Sequence, residues 1–600
     1  MKTRVSDRHT EKNMREGMGR SVAALSVLMA LSAGSEDFSE TADPAAELVQ
    51  QILSVRGEPL RDLPGLRVVH VRDFGAVPND DINDFAAIQA AVQALGTGNA
   101  ELRFEPGVYD VDPGGGDYSQ KERPILFFQD LENVVVDGQG AQILIKRPSV
   151  GLSQSHGCRN MIVRNLSIDY DPLPFSQGTV MSVNPAEGWI EVKTDDGFPD
   201  LDDSQFVSYG SWGMLKDPAV PGKLKDGAPN VLFRSSCEKV GEDLFRIVLT
   251  NPFDEFLAAG DRYAQISRAS GGCEYYNSEN ITFENITFYA IPGSLFVGAD
   301  TSRLNVLNCR GTLKDCRMLV SGADGVHCQA ARIGPWIERC EFEGLSDDCL
   351  NVYSLPFYVL QVHGPKTLRI TRPERIRKGD PLVFFRPQTG EILVETEVVS
   401  LEKDVVTLRD EVPELNLAAK ETEYDQRGWK IYDHAYNPNA TGNYFVYRNN
   451  YMHDGRRFGG FIKASYGLIE NNRFERLSDN GLMVQNEPDW PEGFWANNLV
   501  IRNNRILDCA FMKTRIPMEM DWGMLGHRSA GGFEHQNIFF TSNTVRAVAG
   551  PAARFNCIDG LTLVGNTFQS GSVSGMLVSG TNTRVRENRD NTPQSRIVFE

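Results

Sequence analysis

ENITFENITF, residues 279–288, reads as two short strands joined at an asparagine. β-Branched and aromatic residues alternate there with polar ones, the pattern of strands buried on one face. Asn285 falls where the run must bend. Asparagine suits a bend because it tolerates left-handed backbone and its amide can hydrogen-bond to neighbouring chain. The pattern recurs as RNMIVRNLSI (159–168), SRLNVLNC (302–309), NYFVYRNNYM (443–452) and YGLIENNRF (466–474). It returns as NNLVIRNNRI (497–506), QNIFFTSNTV (536–545) and GLTLVGNTF (560–568).

The interval between copies decides the fold. Ile281 to Leu304, Phe445 to Leu468 and Phe539 to Thr562 are each 23 residues. A period of about 20–30 residues made of strand–turn units marks a solenoid. These copies carry almost no helical periodicity, so helical repeats are excluded. The expectation is an all-β chain: a right-handed parallel β-helix whose coils stack about 4.8 Å apart. An exposed solenoid end needs a cap. DDINDFAAIQAAVQAL, residues 80–95, supplies one, with Phe85, Ile88, Val92 and Leu95 on one helical face.

Two stretches break the repeat. Residues 176–270 and 356–440 contain alternating strands with Gly- and Asp-rich turns, as small antiparallel β-barrels do. GDRYAQISR (260–268) and GDPLVFFRP (379–387) resemble each other weakly. Two inserted barrel modules therefore separate three parts of the β-helix: 60–175, 271–355 and 441–600.

Basic residues from Lys2 to Arg20 precede the apolar run SVAALSVLMALSAG, residues 21–34. The run is short for a bilayer span, which takes about 20 residues. Residues 1–36 thus read as a signal peptide and tail, and the product as secreted or periplasmic. No later segment reads as a membrane span. The net charge of −19 argues against nucleic acid, whose phosphates need a basic face. None of the ten cysteines forms a C-x-x-C pair; most read as buried free thiols.

Chemistry concentrates in SGADGVHCQAARIGPWIERCEFEGLSDDCLNVYS, residues 321–354. Asp324 precedes Asp347 by 23 residues and Asp348 by 24, one coil of the repeat. The three carboxylates should therefore stand on neighbouring rungs, and their repulsion should leave at least one protonated. A protonated acid beside an ionised carboxylate is what glycoside hydrolysis requires. Adjacent strand residues face opposite ways, so Asp347 and Asp348 can act together only at a bend. His327 is placed to bind a sugar hydroxyl, to tune a carboxylate, or to serve as a structural histidine with its hydrogen bonds satisfied. Calcium is a weaker reading of the aspartates, since no EF-hand or RTX pattern is present. No metal and no cofactor is expected. GLMVQNEPDWPEGF, residues 481–494, offers Glu487, Asp489, Trp490 and Glu492 as further wall residues. Trp490 can stack on a sugar ring and Glu487 can accept its hydroxyl hydrogens. The alternative there is an exposed loop with a core tryptophan, and MEMDWGM, residues 518–524, poses the same choice with less support.

LRVVHVRDFGAVPNDDINDFAAIQAAV, residues 66–92, resembles the opening segment of pectin-lyase-like β-helix proteins. The GADG and SDDC segments resemble the Asp motifs of the polygalacturonases, glycoside hydrolase family 28. The resemblance is closer to glycoside hydrolase family 110, the exo-acting α-1,3-galactosidases. It takes in the opening segment, both insertions, DGVH, DDC and the WPEG loop. It implies an inverting hydrolase that removes terminal α-1,3-linked galactose from an oligosaccharide or glycan. It also implies that Asp347 is the general acid and that Asp324 and Asp348 activate water. No Gly-His-Gly follows the Asp pair, which sets the chain apart from the polygalacturonases. A polygalacturonase-like hydrolase, a polysaccharide lyase and a non-catalytic carbohydrate-binding β-helix are the alternatives. Long β-helix flanks and inserted barrels are compatible with a homodimer.

Overall fold

A computed structural model describes residues 44–600, apart from 115–122, 208–211, 251–252, 254–255, 419–431, 513–515, 523, 525–533, 571–575, 587, 591–596 and 600. The expected signal peptide lies outside the described residues.

Parallel strands stack in three columns. One column runs through Glu279–Phe288, Ser302–Leu307 and Trp336–Glu338. A second includes Arg310–Gly311, Glu341–Glu343 and Tyr451–His453. The third runs through Cys273–Tyr276, Phe296–Ala299, Val326–Gln329, Leu350–Tyr353 and Phe461–Ile462. This is a parallel β-helix, and its apolar side chains fill one continuous interior. Ile281 pairs with Leu304 and Phe539 with Thr562, at the 23-residue step. Phe445 pairs with Gly467 instead of Leu468, because the turns of that coil hold one residue fewer.

Asparagines hold the bends in two ways. Asn449, Asn471 and Asn503 adopt left-handed backbone, with φ of 58°, 57° and 56°. The next asparagine in each pair turns inward. Asn450, Asn472, Asn504, Asn543 and Asn566 form a buried ladder, each side-chain amide donating to the next carbonyl oxygen at 2.9, 3.0, 3.0 and 3.2 Å.

The helix Phe85–Gln93 buries Ile88, Ala91 and Val92 in the same interior near the first coils. A second helix, Pro44–Arg56, was not expected from the sequence. Its Leu48, Val49 and Ile52 cover Trp336, Val446, Leu468 and Val500 on the outer face of one sheet.

Both insertions are closed six-stranded antiparallel barrels, spanning Phe175–Ile266 and Phe357–Tyr436. Each has its own apolar core. The first leaves the β-helix after Tyr170 and rejoins it before Cys273. It therefore stands at the corner that leads into the third strand column. Among the described residues no helix is long and apolar enough to cross a membrane.

Candidate active site

The corner that carries the first barrel also carries the aspartates. Asp324 lies two rungs on, just before the strand Val326–Gln329, and Asp347–Asp348 lie three rungs on, before Leu350–Tyr353. Val326 pairs with Leu350, so the 24-residue step sets Asp348 over Asp324. The pair occupies a bend, not a strand. Asn351 pairs with Phe461, and the same 110-residue step sets Arg457 over Asp347.

One oxygen from each of Asp324, Asp347 and Asp348 lies within 4.8 Å of the others. All three residues are buried at the floor of a cavity of about 610 Å³. The cavity is lined by these aspartates, by His327, and by the four expected wall residues Glu487, Asp489, Trp490 and Glu492. It also gathers residues that sequence reading missed. Arg268, Arg456 and Arg457 line it, with Trp212, Val231 and Phe233 from the first barrel and Asn351 and Phe461 from the β-helix.

The arginines decide the electrostatics. Arg268 Nη2 lies 2.9 Å from Asp347 Oδ2; Arg456 and Arg457 Nη1 lie 3.3 and 3.4 Å from Oδ1. Burial alone would raise the Asp347 pKa, but these three guanidiniums hold it well below the usual carboxylate range. Asp348 goes the other way. Burial pushes its pKa well up, against the pull of Arg457 3.6 Å away, and the neighbouring Asp347 and Asp324 add to the rise. The trio thus splits into a fixed anion, Asp347, and a proton holder, Asp348. This is the separation that acid–base chemistry needs. The spacing of the trio would suit a cation, yet three guanidinium charges already occupy its surroundings.

Asp324 is held as an acceptor. The Asp348 backbone N–H donates to its Oδ1 at 3.2 Å, and His327 Nδ1 lies 2.5 Å from its Oδ2. His327 Nε2 meets the Tyr353 hydroxyl at 2.9 Å, and Gln329 donates to that hydroxyl at 2.6 Å. Both imidazole nitrogens are therefore engaged by protein. Burial would lower the His327 pKa, but the Asp324 carboxylate raises it overall. This geometry favours tuning of Asp324 over direct contact with a sugar hydroxyl.

The opposite wall is the 485–494 loop. Glu487 and Glu492 face each other across a tight turn, the Glu487 N–H donating to the Glu492 carbonyl at 2.7 Å. Glu492 accepts from the buried Lys463 ammonium at 2.8 Å and from Asn351 at 3.2 Å. Trp490 stands at the rim, 53% exposed. Trp522, the weaker candidate, is a core residue: fully buried, its indole donates to the Gly390 carbonyl of the second barrel at 2.9 Å.

Comparison with known proteins agrees with this architecture. The right-handed β-helix region family matches residues 431–590. Alpha-1,3-galactosidase A of Bacteroides fragilis is 23% identical over 546 residues, covering 83% of this chain and 87% of that protein. Alpha-1,3-galactosidase B of Phocaeicola vulgatus is 23% identical over 561 residues, covering 84% and 90%. The chain is a glycoside hydrolase on a right-handed parallel β-helix. The hydrolase is also similar to the solved family 28 exopolygalacturonase of Yersinia enterocolitica, at 13% identity and a TM-score of 0.42, over 89% of this chain and 77% of that one. That likeness is too remote to bear on the hydrolase's substrate.

The missed arginines have a simple origin. Arg456 and Arg457 follow the Asp pair only after a whole inserted barrel, and Arg268 precedes it by 79 residues. The signal was GRRFGG, residues 455–460, which occupies the same coil position as LSDDCL, residues 345–350.

Proposed function

We propose that this hydrolase is exo-acting, removes terminal α-1,3-linked galactose from glycans, and inverts the anomeric centre. The observation that carries the chemistry is the trio's setting: three buried carboxylates at one cavity floor, with Asp347 braced by three guanidiniums and Asp348 facing the two other carboxylates. The curated relatives named alpha-1,3-galactosidase, matched along most of their length, support the substrate. A cavity with a buried floor and an exposed rim supports exo action, because one sugar enters and the rest of the glycan stays outside.

In this reading water attacks the anomeric carbon as the bond to the leaving oxygen breaks. Asp348 gives its proton to that oxygen, and Asp324, steadied by His327, takes a proton from the water. Asp347 stays charged and fixes the three arginines. Family resemblance gives the acid role to Asp347; the charge layout supports Asp348 instead, because Asp347 has both oxygens engaged by guanidiniums.

One observation favours a second reading, retention. Retaining carboxyl pairs sit about 5–5.5 Å apart and inverting ones about 6.5–9.5 Å. The trio, with oxygens within 4.8 Å, is nearer the first. Retention needs a carboxylate nucleophile, however, and Asp347 is poorly suited to that because of the same guanidiniums.

The test is galactose release from α-1,3-galactobiose. Wild-type enzyme releases galactose; Asp347→Asn and Asp348→Asn, with unchanged circular dichroism, do so at least about a hundredfold more slowly. Full activity in either variant removes that residue from the mechanism. Unsaturated products, lost on chelation, would make the protein a lyase.

A further inference from the structure

Among the described residues, three aromatic side chains are largely exposed: Phe74, Phe233 and Trp490. Two of them line the rim of the same cavity from separate elements, Phe233 on the first barrel and Trp490 on the 485–494 loop. Exposed aromatic surface is unfavourable in water unless something covers it. Phe233 is 44% exposed and Trp490 53%, whereas the aspartates at the floor are almost fully buried. The aromatics therefore mark the outer end of the cavity and the carboxylates its closed end.

Phe233 is not an isolated surface residue. It pairs directly with Trp212 across two antiparallel strands of the first barrel. Directly opposed residues present their side chains on one face of the sheet, and both line the cavity. Trp212 is the inner member. The Arg456 guanidinium lies over its ring, 4.6 Å from the centroid, and the same guanidinium is an ion-pair partner of Asp347. One barrel face thus runs from the carboxylate floor, through Arg456 and Trp212, to the exposed ring of Phe233. Val231 continues it.

We infer that Phe233 and Trp490 form an acceptor-sugar subsite, a pair of aromatic surfaces that hold the sugar on the leaving side of the scissile bond. The ligand is a neutral saccharide that presents a ring face of C–H groups. Such faces lie against aromatic rings, whereas a carboxylated or sulfated sugar would meet Glu487, Asp489 and Glu492 on the same wall. The first barrel is then a specificity element, not a spacer. It supplies the outer subsite and, through Trp212, steadies the arginine that keeps Asp347 charged. This inference rests on the galactosidase reading of the floor.

The experiment compares two substrates on the full chain: α-1,3-galactobiose, which has an acceptor sugar, and α-galactosyl fluoride, which has none. The readout is the ratio of their kcat/KM values. Phe233→Ala and Trp490→Ala each lower the galactobiose-to-fluoride ratio about tenfold, and Phe233→Leu, which keeps bulk but not a flat ring, lowers it less. A general loss of folded enzyme cancels in the ratio. An unchanged ratio in both alanine variants overturns the subsite. If wild-type enzyme cleaves neither compound, the galactosidase reading itself falls, and the subsite with it.

Discussion

Asp347 and Asp348 are chain neighbours in opposite electrostatic states. The difference comes from what each oxygen meets: three guanidiniums at Asp347, and two other carboxylates in a buried setting at Asp348. If Asp348 is the acid, its value shows only where the leaving oxygen needs a proton. Asp348→Asn should lower kcat/KM on galactobiose by about 10²–10⁴ but leave most turnover of α-galactosyl fluoride, whose leaving group needs no proton. If Asp347→Asn shows that pattern instead, the acid is Asp347, as family resemblance implies. A second residue-scale prediction concerns His535. It is fully buried, accepts the Ala496 N–H at 3.2 Å and lies 2.8 Å from the Asp521 carbonyl. Burial lowers its pKa from 6.5 to about 4. The folded state therefore binds fewer protons than the unfolded one between those values. The stability His535 contributes is complete above about pH 6.5 and is lost as pH falls through about 4, by roughly 3 kcal/mol. Urea unfolding of wild type and His535→Asn across that range checks it; equal pH slopes would refute it.

At the scale of elements, the sequence was most readable where coils repeat. Strand–Asn–strand units gave the step that put Asp324 under Asp348. It was less readable at turns, where Phe445 pairs one residue short of the expected partner. Turn length is free to vary while strand pairing is not. The helix Pro44–Arg56 was missed because its apolar residues meet a sheet flank whose own pattern looks ordinary. The double asparagines were read as bends, yet the second of each pair also carries the interior ladder. Asn504 accepts from the backbone N–H and amide of Asn472 and donates to Asn543 and the Ile469 carbonyl. Asn504→Ala would orphan these buried partners and should cost about 2–4 kcal/mol in denaturant unfolding. A loss below about 0.5 kcal/mol would show that the ladder is decorative.

For the whole molecule, the first insertion turns one flank of a solenoid into an enzyme pocket. The β-helix sets the carboxylates on adjacent rungs, and the first barrel overhangs their corner. Sequence alone gave the carboxylates, because they lie within one coil step of each other. It did not give Arg456 and Arg457, which the second barrel separates from Asp347 along the chain, or Arg268, which lies 79 residues before it. The overall charge of −19 allows a substrate-level prediction. A neutral galactoside feels little steering, so kcat/KM should change less than about twofold between 50 and 500 mM NaCl. A steep salt dependence would point to a polyanionic, galacturonan-like substrate. Hydrolysis of an α-1,3-galactosyl bond at the aspartate floor by single displacement is the proposal on which the other roles depend. Time-resolved proton NMR of α-1,3-galactobiose hydrolysis tests it most directly. The first galactose to appear should be the β anomer; α-galactose first, or no galactose at all, would contradict it.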